Sequence, residues 1–230
     1  MKPRLPGGFM LSSALLAPVV GVVGVSVAAF LAPGFEPLEH GLSHLGVAEG
    51  PASLVFAASV VLTGVAAFPF GLVLAFAARN AVEKLGVAMI WVGVFSMWLL
   101  GFVSLDMYEA HLALGLSFFG LVTAAFYVYG GGNALAGDVR HGVVTMAFGG
   151  VHQAGWLVWG VTWFRGYDGP LLEAPGLLLP EAFGLALLVV WAVREAYGPV
   201  RDEWRGVLDG SRMRERRGVS DETGSKQGLS

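Results

Sequence analysis

The sequence predicts an all-α, polytopic integral membrane protein with six transmembrane helices and both termini in the cytoplasm. The chain of 230 residues is 55% hydrophobic and only 13% charged, whereas an average soluble domain carries about 25% charged residues. Its apolar residues form six long stretches separated by short polar breaks. Thirteen of its 14 lysines and arginines lie at the N-terminus, in every second break or in the C-terminal tail, and Arg165 is the exception. Positively charged loops stay in the cytoplasm, so this sorting predicts the orientation in the cell membrane.

Each apolar stretch is long enough for one crossing, because about 20 helical residues span the hydrocarbon core. The predicted helices cover about 10–31, 52–78, 85–105, 111–130, 142–164 and 177–193. The first stretch is interpreted as a retained helix, since it is long for a signal peptide and ends without a clear cleavage site. Pro69 predicts a kink in the second helix, and Trp191 is expected near a membrane interface. The glycine-rich segment 130–140 is predicted to be a flexible inner loop.

These helices divide the chain into three parts. Residues 1–9 are predicted to be a cytoplasmic N-terminus, 10–198 a six-helix transmembrane domain, and 199–230 a polar, disordered cytoplasmic tail. The chain has no cysteine, which excludes disulfides and cysteine-based metal sites. Nucleic acid is not expected as a partner, because the basic cluster is confined to the short tail, where it is interpreted as a topology anchor that touches anionic lipid.

Acidic and histidine side chains collect on the predicted outer side. Eight carboxylates and three of the five histidines belong to this side, opposed only by Arg165: Glu36, Glu39, Glu49, Asp106, Glu109, Asp168, Glu173, Glu181, His40, His44 and His111. The first outer loop has about 20 residues, which is long for a connection and long enough to fold over the mouth of the bundle. We expect its segment 42–46 to be a short ordered element, and we expect His44, Asp106 and His111 to lie at similar depth.

Two functional hypotheses, each with a structural alternative, concern this outer cluster. His40 and His44 are four residues apart and share a face if the segment is helical, so with His111 they form a candidate metal site. The alternative is that both histidines stabilise the loop through hydrogen bonds. If the protein is an enzyme, the candidate catalytic residues are His44, Asp106 and His111, with Asp106 orienting the imidazole of His111 across a tight turn. The alternative for that pair is a purely structural turn.

Two polar positions fall inside the predicted membrane segments. His152 and Gln153 lie in the middle of the fifth helix, where unpaired polar groups are costly and normally face the bundle interior. Glu181 lies near the outer start of the sixth helix, where it either contacts other helices or only caps its own. All three are candidate ligand-binding residues, and interhelical hydrogen bonding is the alternative. A haem is not expected, because no second mid-membrane histidine is available as an axial partner.

The layout of these motifs resembles the prokaryotic six-helix membrane family catalogued as domain of unknown function 998. The resemblance covers about residues 8–197. It is carried by the element Leu42-Ser43-His44-Leu45-Gly46-Val47, by Glu49-Gly50-Pro51 at the entry into the second helix, and by His111 at the outer start of the fourth. More distantly the layout is similar to DRAM-type membrane proteins. The resemblance implies the six-helix architecture and no particular activity.

Taken together, the sequence favours a membrane protein that binds or organises lipid, or a partner membrane protein, through its acidic, histidine-containing outer side. One alternative is a lipid-headgroup hydrolase or transferase at the outer interface, with a divalent metal as its only candidate cofactor. A second alternative is a small transporter with His152 and Glu181 on its path. The absence of an evident inverted repeat counts against the transporter.

Overall fold

A computed structural model of the protein describes residues 7–197, which form helices joined by short turns and loops and contain no strand. Its long helices are α1 (Gly7–Leu31), α2 (Pro51–Ala77), α3 (Ala81–Leu100), α4 (Tyr108–Leu135), α5 (Val139–Trp159) and α6, whose described part is 178–197. Three short elements join them: a 3-10 helix at Leu42–Val47, a π-helical turn at Gly160–Phe164 and a 3-10 turn at Leu171–Glu173. The predicted tail at 199–230 and most of the predicted N-terminal segment lie outside the described residues.

The outer surfaces of the helices are apolar. Within the described residues, α1 to α4 are each long and apolar enough to cross a membrane. Large hydrophobic side chains are exposed along the helices; Val22 is 64% exposed, Leu54 72% and Leu157 62%. A surface this apolar is stable against lipid chains and would associate in water. The protein is therefore a helical membrane protein.

Local capping explains where several helices begin. Gly50 adopts a positive φ of 71°, which favours glycine, and Pro51 then occupies the first turn of α2, where its missing N–H costs nothing. At the start of α3, the Asn80 side chain accepts a hydrogen bond from the Glu83 N–H at 2.9 Å. This cap starts α3 four residues before the predicted position, and the helix ends at Leu100 rather than at residue 105.

Helices that are neighbours in the sequence pack against each other from α1 to α5. Glycines allow the closest approaches, because a Cβ at Gly86 of α3 would lie 2.8 Å from the backbone N of Tyr129 in α4. The last helix, α6, packs into the group formed by the others. Its Trp191 is fully buried, with ring centroids 6.2 Å from Phe70 of α2 and 5.3 Å from Phe126 of α4. Trp191 is therefore a core residue, and its ring packs against other helices rather than facing lipid.

The prediction of a flexible glycine-rich loop at 130–140 is wrong. α4 continues through the glycines to Leu135, and only 136–138 separate it from α5. The reason is packing, since a Cβ at Gly130 would lie 2.7 Å from the backbone oxygen of Gly142 in α5, and one at Gly132 would lie 2.6 Å from the backbone N of Glu83 in α3. The glycines let three helices meet closely at this point, which offsets their low helix propensity.

Candidate functional site

A cavity of about 410 Å³ lies within the group of helices. Its wall is formed by α1, α2, α3, α4, α6 and the start of the 3-10 helix Leu42–Val47, and we call it the central cavity. Apolar side chains make up most of the wall, among them Phe56, Phe70, Met97 and Leu185. The volume lies in the lower part of the range of about 300–1,000 Å³ that is typical of small-molecule sites.

The end of the central cavity next to the loop between α1 and α2 carries three polar side chains, and we call it the polar end. These are Ser43, His111 and Glu181, and they are only 6%, 5% and 7% exposed. A carboxylate oxygen of Glu181 accepts a hydrogen bond from the Leu42 N–H at 2.7 Å, and the carboxylate is also hydrogen-bonded to the Ser43 hydroxyl. Glu181 therefore joins α6 to the loop between α1 and α2 and does more than cap its own helix.

Asp106 and His111, two of the predicted catalytic residues, do not form the predicted pair. His111 lies at the polar end, and its Nδ1 is 2.7 Å from the backbone oxygen of Val103. Asp106 is exposed and accepts a hydrogen bond from the Ser104 hydroxyl at 3.2 Å. The observed hydrogen bonds pair Asp106 with Ser104 and His111 with the backbone of Val103, and not Asp106 with His111. The structural alternative for this turn describes it better.

The histidines of the first outer loop stabilise that loop. The predicted ordered element at 42–46 is confirmed as the 3-10 helix Leu42–Val47. His40 Nδ1 accepts a hydrogen bond from the Glu36 N–H at 3.0 Å, His44 Nδ1 accepts one from the Gly41 N–H at 3.1 Å, and the two ring centroids are 4.9 Å apart. Among the described residues no group of three histidine or acidic side chains is placed to hold a metal ion. The predicted site at His40, His44 and His111 thus gains no support.

We expect the 3-10 helix Leu42–Val47 to lose stability as the pH falls below about 6.5, the ordinary pKa of histidine. Burial lowers the pKa of His44, and the adjacent imidazole of His40 lowers it further; the Gly41 backbone and Glu173 act in the opposite direction without reversing the shift. Because the folded state binds this proton more weakly than the unfolded state, stability is complete above the ordinary pKa. It is lost as the pH falls from there through the lowered pKa.

Hydrogen exchange of residues 42–47 at about pH 7.5 and about pH 5, corrected for the intrinsic rates, measures this loss of protection. The variant His44→Gln retains a hydrogen-bond acceptor that does not titrate, and we expect it to remove most of the pH dependence. Protection in the wild-type protein that is unchanged between the two pH values would contradict the prediction.

The polar pair inside α5 divides between the interior and the surface. His152 is 1% exposed, its Nδ1 lies 2.7 Å from the Thr123 hydroxyl, and its Nε2 accepts a hydrogen bond from the Trp156 indole N–H at 3.3 Å. Gln153 is exposed and accepts a hydrogen bond from the Tyr127 hydroxyl at 3.1 Å. The prediction that His152 points inward is confirmed. Glu181 lines the central cavity, whereas His152 does not.

The sequence does not point to two further features. Glu83, on the predicted inner side, is 1% exposed and forms an ion pair with Arg79 at 2.6 Å, and Arg79 also donates to the Asn133 side chain at 2.8 Å. Trp191 lines the central cavity ten positions along α6 from Glu181, and its indole N–H has no hydrogen-bond partner among the residues that the structure describes. A buried donor without a partner is uncommon, and this one belongs to a wall that a bound molecule would touch.

The match to a family model agrees with this architecture. Residues 15–194 match the model described as "Protein of unknown function (DUF998)". The matched range begins inside α1 and ends inside α6, so it includes parts of every element that lines the central cavity. No curated protein and no solved structure shows a significant match to the chain. Because the family model covers more than half of the sequence, this membrane protein belongs to the DUF998 family.

Proposed function

We propose that the protein spans the cell membrane six times and binds a membrane lipid in the central cavity. The cavity is the observation that carries the proposal, because it is lined by helices, is mainly apolar, and has Ser43, His111 and Glu181 together at one end. Along α6 it extends from Glu181 to Ala192, which at 1.5 Å per residue is about 16 Å. This length and the volume of about 410 Å³ suit one hydrocarbon chain better than a complete two-chain lipid.

A lipid also has a route into the cavity from the bilayer. Four residues of the wall are exposed: Val22 and Ser26 of α1, Phe68 of α2 and Ala186 of α6. Lipid chains surround these helices in a membrane, so exposed wall positions on α1, α2 and α6 support lateral entry. The proposal thus locates the lipid beneath the acidic outer side rather than on it, with Ser43, His111 and Glu181 at the boundary between the two.

The geometry favours binding over the two alternatives. A hydrolase that uses His44, Asp106 and His111 needs these side chains to act on one another, but each is hydrogen-bonded locally to a different part of its own loop or turn. A transporter that uses His152 and Glu181 needs a shared path, and Phe119 lies between the central cavity, which it lines, and the ring of His152 at a centroid distance of 6.0 Å. Neither requirement is met by the side-chain contacts of the described residues.

We expect a cavity-filling substitution to remove the bound lipid. Ala67→Phe adds a ring to the cavity wall in α2, whereas Ala75→Phe adds the same ring to an exposed position of the same helix. Protein extracted in polymer-bounded membrane discs and analysed by native mass spectrometry should retain about one lipid in wild type and in Ala75→Phe, and lose it in Ala67→Phe. Equal retention by the two variants would contradict lipid binding in the cavity.

The orientation of the spans has an independent test. The sorting of basic residues supports a cytoplasmic position for Arg79, Lys84, Arg140 and Arg194 and for both termini. The chain has no cysteine, so single cysteines can be introduced without background labelling. We expect Glu49→Cys to react with an impermeant maleimide in intact cells and Ala136→Cys to react only after the membrane is opened. Both positions are exposed, so the reverse pattern would overturn the proposed orientation.

A further inference from the structure

The polar end of the central cavity presents hydrogen-bond acceptors to whatever occupies it. Glu181 contributes a carboxylate, and that carboxylate already receives the Leu42 N–H and the Ser43 hydroxyl. His111 Nδ1 faces the carbonyl oxygen of Val103 at 2.7 Å. Because a carbonyl oxygen only accepts, Nδ1 carries the proton and Nε2 of the neutral ring is left with a lone pair. A ligand group at this end therefore meets one carboxylate and one imidazole acceptor.

The charges around this end have one sign. No lysine or arginine occurs among the described residues that line the central cavity, so Glu181, its one acidic residue, has no cationic partner in the wall. The surrounding outer side carries seven more carboxylates and one basic residue, Arg165. In a site walled by apolar helices, charges are weakly screened, so this arrangement favours a cation and disfavours a second anion.

We infer that the lipid in the central cavity is a single-chain amphiphile with an amino headgroup, whose ammonium lies at Ser43, His111 and Glu181. This inference rests on the proposed lipid binding and adds the chemical class of the ligand. An ammonium has three N–H donors, which match the free acceptor positions of Glu181 and His111. A fatty acid of the same length would place a second carboxylate beside Glu181, and an alcohol would gain a hydrogen bond without the attraction between charges.

The test compares three probes with the same chain: dodecylamine, dodecanol and dodecanoate. Wild-type protein and Ala67→Phe are reconstituted in nanodiscs of phosphatidylcholine, which has no net charge, and binding above the Ala67→Phe background is measured for each radiolabelled probe. We expect dodecylamine to bind at least about tenfold more tightly than dodecanoate, because a hydrogen bond to a charged group is worth about that factor. Glu181→Gln keeps a hydrogen-bond acceptor for the Leu42 N–H. We expect it to reduce the ratio of amine affinity to acid affinity toward one and to leave the affinity for dodecanol nearly unchanged.

The outcomes separate the two proposals. If no probe binds wild type above the Ala67→Phe background, lipid binding in the cavity is itself refuted. If the probes bind but the affinity for dodecanoate equals or exceeds that for dodecylamine, lipid binding in the cavity is supported and the amino headgroup is wrong. The ratio in the wild-type protein needs no variant at Glu181, so the headgroup is tested even if Glu181→Gln folds poorly. An amine-to-acid ratio that Glu181→Gln leaves unchanged, in protein that still binds dodecanol, would also overturn the inference.

Discussion

Replacing Arg79 by alanine should destabilise the protein by about 3 kcal/mol, the lower end of the range for breaking a buried ion pair. Its partner Glu83 is 1% exposed, and the Arg79 side chain donates two hydrogen bonds to one carboxylate oxygen, at 2.6 Å from Nη2 and 2.9 Å from Nε. Removing the guanidinium leaves the carboxylate buried without a counter-charge. The lower figure applies because the Arg79 side chain is itself 44% exposed and so contributes less than a fully buried partner.

The apparent melting temperature in detergent, read by the loss of monomeric protein on gel filtration, measures the effect. Arg165→Ala is the matched control, because Arg165 is an exposed arginine of the outer loop, and we expect its melting temperature to stay near that of wild type. The double variant Arg79→Ala/Glu83→Gln should recover part of the loss, since a neutral amide costs less to bury than a carboxylate. If Arg79→Ala has the same apparent melting temperature as Arg165→Ala, the ion pair does not stabilise the fold.

The sequence predicts the helices well because hydropathy and charge act locally. Each stretch between polar breaks forms a helix, and the element at 42–46 is the 3-10 helix Leu42–Val47. The inward position of His152 also follows from a local rule, because an unpaired imidazole in hydrocarbon is costly wherever the neighbouring helices lie. Predictions of this kind need only the residue and its environment, not the identity of its partners.

The site could not be predicted in the same way, because its contacts join distant parts of the chain. Glu181 accepts its hydrogen bond from Leu42, which is 139 positions away in the sequence. No spacing rule connects these residues, whereas Asp106 and His111 are close in sequence but not paired. Ser43 is adjacent to His44 in the sequence, yet its hydroxyl turns toward Glu181. The central cavity is a property of five packed helices, and no single stretch encodes it.

The glycine run of α4 shows why composition is misleading about a loop. Glycine lowers helix stability by about 1 kcal/mol relative to alanine, so consecutive glycines normally indicate a break. In this protein Gly132 faces the first turn of α3, where the Asn80 side chain donates a hydrogen bond to its backbone oxygen at 2.8 Å. The contact with another helix overrides the local preference, and the glycines mark a packing point rather than a hinge.

This interpretation predicts opposite effects for two adjacent substitutions. At Gly131 a Cβ would meet nothing within 4 Å, whereas at Gly132 it would lie 2.6 Å from the backbone N and 2.7 Å from Cγ of Glu83. We expect Gly132→Ala to destabilise the protein by about 1–3 kcal/mol, because backbone cannot move aside as a flexible side chain does and the helices must separate. Gly131→Ala should be neutral or stabilising by up to about 1 kcal/mol, since it raises helix propensity without a clash.

Thermal unfolding of the two variants in the same detergent compares the effects directly, because the change in composition is identical and the positions are neighbours. A flexible loop would tolerate alanine equally at both positions. Equal melting temperatures for the two variants would therefore support a flexible loop and contradict close helix packing at Gly132.

A large difference in the expected direction has a further consequence. The clash at Gly132 displaces the first turn of α3, which carries Glu83, so Gly132→Ala should also reduce the additional loss caused by Arg79→Ala. The combined variant is therefore expected to be less destabilised than the sum of the two single variants.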